Sequence, residues 1–227
     1  MKKIINVLLI DDHQSVIEAY SNFLNQYEFL NSNCKLNILK ARCCDSAIDI
    51  IESRSNENDK LIDVAFIDMR LPESEDGRFS SGEDLGLLLK KKFPKIKIVI
   101  ITGHYETLIL SNLLQSVNPN AILIKGDIEG KIILEALTKV LNNEPYYSIS
   151  VLNLLRKKIS STINLDLIDK QMIYELWKGI KTKDLVKSLP LSIGAIEKRK
   201  RNVRLKFGAK SKDDDMLISL ILKKGFL

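Results

Sequence analysis

Five short apolar runs, interleaved with amphipathic stretches, constrain this chain more than any other feature. The runs are IINVLLI (4–10), KLNILKA (35–41), LIDVAFI (61–67), KIVII (97–101) and AILI (121–124). Each is rich in Ile, Val and Leu and bounded by polar residues, as strands buried on both faces are. Between them lie helix-like stretches at 15–27, 45–54, 82–93, 106–117 and 129–141. The first puts Val16, Ile17, Tyr20, Phe23 and Leu24 on one stripe. Strand–helix alternation of this kind closes through right-handed crossovers into a doubly wound parallel sheet, here with five strands expected. In such sheets ligands bind outside the carboxyl ends of the strands.

Those ends carry polar groups that a buried strand does not need. The first run ends in Asp11 and Asp12, the third in Asp68, the fourth in Thr102 and the fifth in Lys125. Taken singly, Asp11, Asp12 or Thr102 reads equally as a helix cap, and Lys125 as a solvated turn residue. Together at one sheet edge they form a set. Clustered carboxylates repel and call for a cation, and oxygen ligands without Cys or His suit Mg²⁺. Lys125 and Thr102 suit phosphoryl oxygens, and phosphoryl transfer needs this positioning more than it needs acid–base groups. Asp68, central in the set, reads as the nucleophile.

The pattern Asp11-Asp12, Asp68-x-x-Leu71-Pro72, Thr102-Gly103 and Lys125-Gly126 resembles the receiver domain of two-component response regulators, over residues 4 to about 142. The resemblance implies a flavodoxin-like strand order and a histidine kinase as phosphodonor to Asp68. It also implies Mg²⁺ held by Asp11, Asp12, Asp68 and the main-chain carbonyl of Arg70. Two positions depart from the pattern. Ile122 stands three residues before the lysine, where receivers carry an aromatic switch residue. The loop PESEDGRFSSGEDL (72–85) is longer than the usual acceptor loop and reads as a solvated insertion. GDIEGK (126–131) has its glycines one residue too close for a phosphate-binding loop, and neither His13 nor His104 has a partner for a catalytic triad.

The charge changes sign along the chain. Residues 1–145 hold 17 Lys and Arg against 21 Asp and Glu, a net of −4, and residues 146–227 hold 18 against 8, a net of +10. A basic second half suits nucleic acid. Pro145 breaks the preceding helix, and residues 143–163 read as a linker with a short helix at 151–159. From 164 to 227 the pattern is all-α. A helix at 166–179 stops at Gly179, and a short one at 182–189 opens on Thr182. A basic one runs from its cap Ser192 to Gly208, and a last one starts near Ser211. This order is a helix-turn-helix, with Ile196, Val203 and Phe207 on the inner stripe of the basic helix. Residues 165–208 resemble the LuxR/NarL-type domain through Leu165, Gly179, Leu185, Leu189, Ser192, Ile196, Asn202, Lys206 and Gly208. Glu197, Lys198 and Arg201 are placed to approach bases, and Arg204 and Lys206 to reach phosphates. Glu197 is itself a departure, at a place where relatives often carry a basic residue.

The chain thus reads as a response regulator transcription factor, not a dedicated enzyme, binding double-stranded DNA and dimerising when active. Two alternatives remain open. A haloacid-dehalogenase-like phosphatase would need Asp-x-Asp after the first strand, where this chain has adjacent acids. A protein-binding output domain would leave DNA untouched. No apolar run approaches the ~18 residues of a membrane span. The run in MKKIINVLLIDDH ends in two acids and does not read as a signal peptide. Cys34, Cys43 and Cys44, without metal-ligand spacing, fit a reducing cytoplasm and read as small buried hydrophobes.

Overall fold

A computed structural model of the chain describes residues 2–55, 61–103, 107–160, 163, 165–224 and 226. One compact unit takes in Met1–His104 and Asn112–Leu152, and a second takes in Tyr105–Ser111 and Asn153–Leu227.

From Lys3 to Leu141 the expected alternation is present: β1 (Lys3–Ile10), α1 (Gln14–Leu30), β2 (Cys34–Ala41), α2 (Cys44–Ser55), β3 (Val64–Asp68), α3 (Gly82–Lys92), β4 (Lys97–Thr102), α4 (Thr107–Ser116), β5 (Ala121–Ile124) and α5 (Gly130–Leu141). The strands pair in parallel in the order β2-β1-β3-β4-β5, as a doubly wound sheet requires. Every residue of β3 is buried, which explains why its run shows no alternation. On one face, Val7, Leu9, Phe66, Val99 and Leu123 pack under Ile17, Leu24, Ile133 and Leu137 of α1 and α5.

A sixth strand was not expected. β6 (Tyr146–Tyr147) pairs in parallel with β5 inside the segment read as linker. Two residues are too few to show a period. The Ser148 amide then donates to the Ile122 carbonyl at 3.1 Å, and the Ile124 amide to the Ser148 hydroxyl at 3.1 Å. The Ser150 hydroxyl donates to Asp127 at 2.7 Å. The segment is therefore stitched along β5 before α6 (Ile149–Ser160) begins. The polar stretch after α6 falls partly outside the described residues, as does His104.

The second unit holds α7 (Leu167–Trp177), a 3-10 helix at Thr182–Lys187, α8 (Ile193–Phe207) and α9 (Asp214–Lys223). Ser192 caps α8 by accepting from the Ala195 amide, and Gly208 ends it in the left-handed region at φ 72°. Ile196, Val203 and Phe207 are buried with Met172, Ile173, Leu185, Leu217 and Ile221. Two helix starts differ from the sequence reading. Lys181, not Thr182, precedes the 3-10 helix, and the Thr182 hydroxyl instead donates to Asp214 at 3.3 Å. Asp213, not Ser211, caps α9 by accepting from the Asp215 amide. Of the cysteines only Cys44 is buried; Cys34 and Cys43 are half-buried. Among the described residues no helix is long and apolar enough to cross a membrane.

Candidate functional sites

Strand register assembles the first site. Ile10 pairs with Ile67, Asp68 with Ile101 and Thr102 with Ile124, so Asp11, Asp68, Thr102 and Lys125 fall side by side at the carboxyl edge. Asp11 and Asp68 are each only 3% exposed, and Thr102 is fully buried. The Lys125 ammonium bridges the two acids, donating to Asp68 Oδ2 at 2.7 Å and to Asp11 Oδ2 at 3.0 Å. Burial pushes the Asp68 carboxyl above its ordinary value, and the Lys125 ammonium only partly offsets this. Burial also disfavours the Lys125 charge, yet its bonds to Asp68 and Asp11 outweigh that and raise its pKa.

Asp12 and His13 line the outer side. The His13 Nδ1 lies 2.6 Å from Asp12 Oδ1, and the His13 amide donates to Asp11 Oδ1 at 3.0 Å. Neither acid caps α1, whose cap position is His13, with no side-chain bond to the helix's first amides. Asp11, Asp12 and His13 offer ligand atoms within 4.8 Å of one another. His13 was not among the ligands read from the sequence. Asp68 meets Asp11 through Lys125, and its Oδ1 accepts from the Arg70 amide at 3.3 Å. Ile122, read from the sequence as an atypical switch residue, is fully buried in β5 between Ile100 and Tyr147.

Two supporting features were not legible beforehand. Gly82 opens α3 directly against β3: a Cβ there would lie 2.1 Å from the Asp68 carbonyl oxygen. Its amide donates to the Met69 carbonyl at 3.1 Å. The long loop after β3 is solvated, as read, and is also a built turn. Ser74 is buried; its hydroxyl donates to Asp76 at 2.8 Å and accepts from the Phe79 amide at 3.0 Å. The Arg78 amide and the Ser74 hydroxyl, both donating to Asp76, hold its carboxyl down at about 2. The Glu75 amide donates to Asp45, at the start of α2, at 3.2 Å.

The basic helix α8 divides its charges. Glu197, Lys198, Arg201 and Asn202 are exposed, and among the described residues Lys198 and Arg201 make no ion pair. Arg199 donates to Asp166 at 2.6 Å and to buried Asp169 at 2.8 Å. Lys200, 9% exposed, donates to Asp214 at 2.8 Å. Arg204, read as a phosphate contact, is engaged within the unit. Its side chain is 15% exposed and donates to Asp214 at 2.5 Å and to the Lys212 carbonyl at 2.6 Å, so it ties α8 to α9. Lys206 is exposed and lies 3.6 Å from Asp169. Asp214 therefore carries two cations, one of them buried. Asp214→Asn is expected to destabilise the second unit by about 2–3 kcal/mol in denaturant unfolding, less than a fully buried pair because Asp214 is partly exposed. An unchanged midpoint for that unit would show the network to be ornamental.

No family model matches the chain. The oxygen regulatory protein NreC of Staphylococcus epidermidis is 23% identical over 234 residues, covering 97% of this chain and 98% of the relative. NreC of Staphylococcus aureus is 22% identical over 233 residues, with the same coverage. Among solved structures, RcsB dimers bound to DNA match at 21% identity with a TM-score of 0.65, over 97% of this chain and 98% of that one. RcsB from Salmonella enterica serovar Typhimurium, bound to a promoter in the presence of phosphomimetic BeF₃⁻, matches at 21% with a TM-score of 0.64, over 96% and 97%. These likenesses show the fold: a receiver-like α/β unit followed by a helix-turn-helix unit.

Proposed function

We propose that the chain is a response regulator transcription factor, phosphorylated on Asp68 and binding DNA through α8. The observation that carries the reading is the Asp11–Lys125–Asp68 bridge on the same chain as a helix-turn-helix whose exposed face holds two cations, Lys198 and Arg201, without an ion pair among the described residues. The phosphodonor in this reading is a phosphohistidine on a kinase. Asp68 Oδ attacks phosphorus, the P–N bond breaks, and the leaving imidazole takes up a proton. Lys125, already bonded to Asp68, is placed to take a phosphoryl oxygen, and Thr102 sits one strand away to donate to another.

The hard carboxylate donors fit Mg²⁺, which Asp11, Asp12, Asp68 and the Arg70 carbonyl would hold; bound there, it offsets their mutual repulsion and neutralises phosphoryl charge. Dimerisation on activation and a cytoplasmic location belong to the same reading. What supports it is the likeness, over 97% of this chain, to RcsB dimers bound to DNA.

DNA binding is tested with the full chain, phosphorylated by a small donor, over a series of salt concentrations. Lys198→Ala and Arg201→Ala should each lower the salt slope by roughly 1 without loss of folding. Glu197→Lys should raise affinity where Glu197 merely repels phosphate, and Glu197→Ala should change site preference where it accepts from cytosine. Binding that is absent at every salt concentration would return the second unit to a protein-binding role.

A further inference from the structure

The edge of the sheet opposite Asp68 carries a second concentration of charge, of the other sign. Between Asp84 and Glu106 the chain has no acid and five lysines: Lys90, Lys91, Lys92, Lys95 and Lys97. This lies in a half of the chain whose net charge is negative. Three of the five line one recess of about 360 Å³, built from the last turn of α3, the approach to β4, the approach to β5 and the turn after α5. Lys90, Lys95 and Lys97 face it together with Asn118, Asn120 and Asn143.

The recess offers donors and lacks a counter-charge. No Asp or Glu is among the described residues that line it. The acids nearest in sequence are engaged elsewhere: Asp63 accepts from the Asn6 amide at 2.7 Å, and Glu144 pairs with Lys139 at 2.5 Å. Among the described residues Lys90 makes one bond, to the Asn118 carbonyl at 2.7 Å, and Lys97 makes one, to the Asn143 side-chain oxygen. An ammonium has three donors, so each keeps two. Asn120 Oδ1 accepts from the Ile98 amide at 3.0 Å, which leaves its NH₂ group as a further donor. Burial with no acid beside it holds the Lys90 ammonium below the ordinary lysine value. Two of the carbonyl-bearing residues are fixed in shape: Asn118 and Asn143 follow helix ends in the left-handed region, at φ 46° and 61°.

Three ammonium groups around a small concavity repel one another until an anion with several acceptor oxygens sits among them. We propose that this recess, at the amino ends of β4, β5 and β6, binds a small phosphorylated molecule. Its concavity fits a phosphate or diphosphate group rather than a duplex backbone, which needs a ridge or a flat basic strip. The recess shares no residue with the Asp68 site, so the two readings stand or fall separately.

The test uses the full chain without divalent cation, titrated with inorganic pyrophosphate and followed by amide resonances. Saturable shifts are expected at Ile96, Lys97, Asn120 and Tyr146, unchanged in Asp68→Asn. Lys95→Gln with Lys97→Gln should weaken them about tenfold or more while the fold, by circular dichroism, is kept. The idea is overturned by shifts that do not saturate, by shifts confined to α8, or by full affinity in the double variant. A parallel titration with a short DNA duplex covers the remaining case: movement of these amides by duplex but not by pyrophosphate also overturns it.

Discussion

Asp68→Asn is expected to lose essentially all acyl-phosphate formation while the first unit stays folded. Incubation with a small phosphodonor and Mg²⁺, then reductive trapping and peptide mapping, places the label on Asp68 in the parent chain. An amide cannot form the acyl phosphate, so nothing should replace it. The folding side of this prediction follows from charge. Asp68 is buried next to Asp11, and its pKa is raised by that burial. A carboxylate with a raised folded-state pKa costs stability once ionised, and stability falls as pH rises from the ordinary carboxylate value through the raised one. The neutral side chain removes that cost along with the bond to Lys125, and Lys125 keeps Asp11 as partner. The two changes oppose each other, so the unfolding free energy at neutral pH should move by no more than about 1 kcal/mol. Label surviving on Asp11 or Asp12 in the variant would remove Asp68 from the acceptor role. Chelation of divalent cations should stop the parent reaction.

How far the sequence foretold this depends on what kind of signal each feature leaves. Strands buried on both faces leave contiguous apolar runs, so β1 to β5 were legible, with the polar residues that end them. Strand order then brought Asp11, Asp68, Thr102 and Lys125 together without further information. β6 left no trace because a two-residue strand has no period, and a proline beside it reads as a linker. The split of charges on α8 was equally silent. Composition shows that Arg204 is basic, but only the packing of α9 against α8 shows that it faces Asp214. Inner-stripe positions such as Ile196, Val203 and Phe207 follow from helical spacing, whereas ion pairs between helices depend on crossing geometry that spacing does not encode. The long loop after β3 reads correctly as solvated, but its internal bonds were silent for a related reason. Its Ser, Asp and Gly content reads as solvated loop, yet the same residues form the bonds of a folded turn around Ser74.

The glycines show the same limit and give the sharpest structural prediction. Gly82→Ala is expected to destabilise the first unit by about 3 kcal/mol or more, beyond ordinary overpacking, because the obstacle is backbone. The added Cβ would lie 2.1 Å from the Asp68 carbonyl oxygen and 2.9 Å from Ile67 Cγ2. The carbonyl cannot swing aside, since β3 is held between β1 and β4. Relief requires α3 to back away. That breaks the bond from the Gly82 amide to the Met69 carbonyl and disturbs the turn that positions the Asp68 carboxylate. Phosphoryl acceptance should therefore fall with stability, in contrast to Asp68→Asn. Gly86→Ala, one turn later on the same helix, is the control. Its Cβ would meet only the Val117 side chain at 3.0 Å, and the gain in helix propensity, about 1 kcal/mol, offsets that contact. Gly130→Ala falls between, since its Cβ would meet the Phe23 ring at 2.6 Å and a half-buried ring can turn away. The expected order of unfolding midpoints is Gly86→Ala near the parent, Gly130→Ala below it and Gly82→Ala lowest. A Gly82→Ala chain as stable as Gly86→Ala, with normal acceptance at Asp68, would mean that α3 does not press on the acceptor strand in solution.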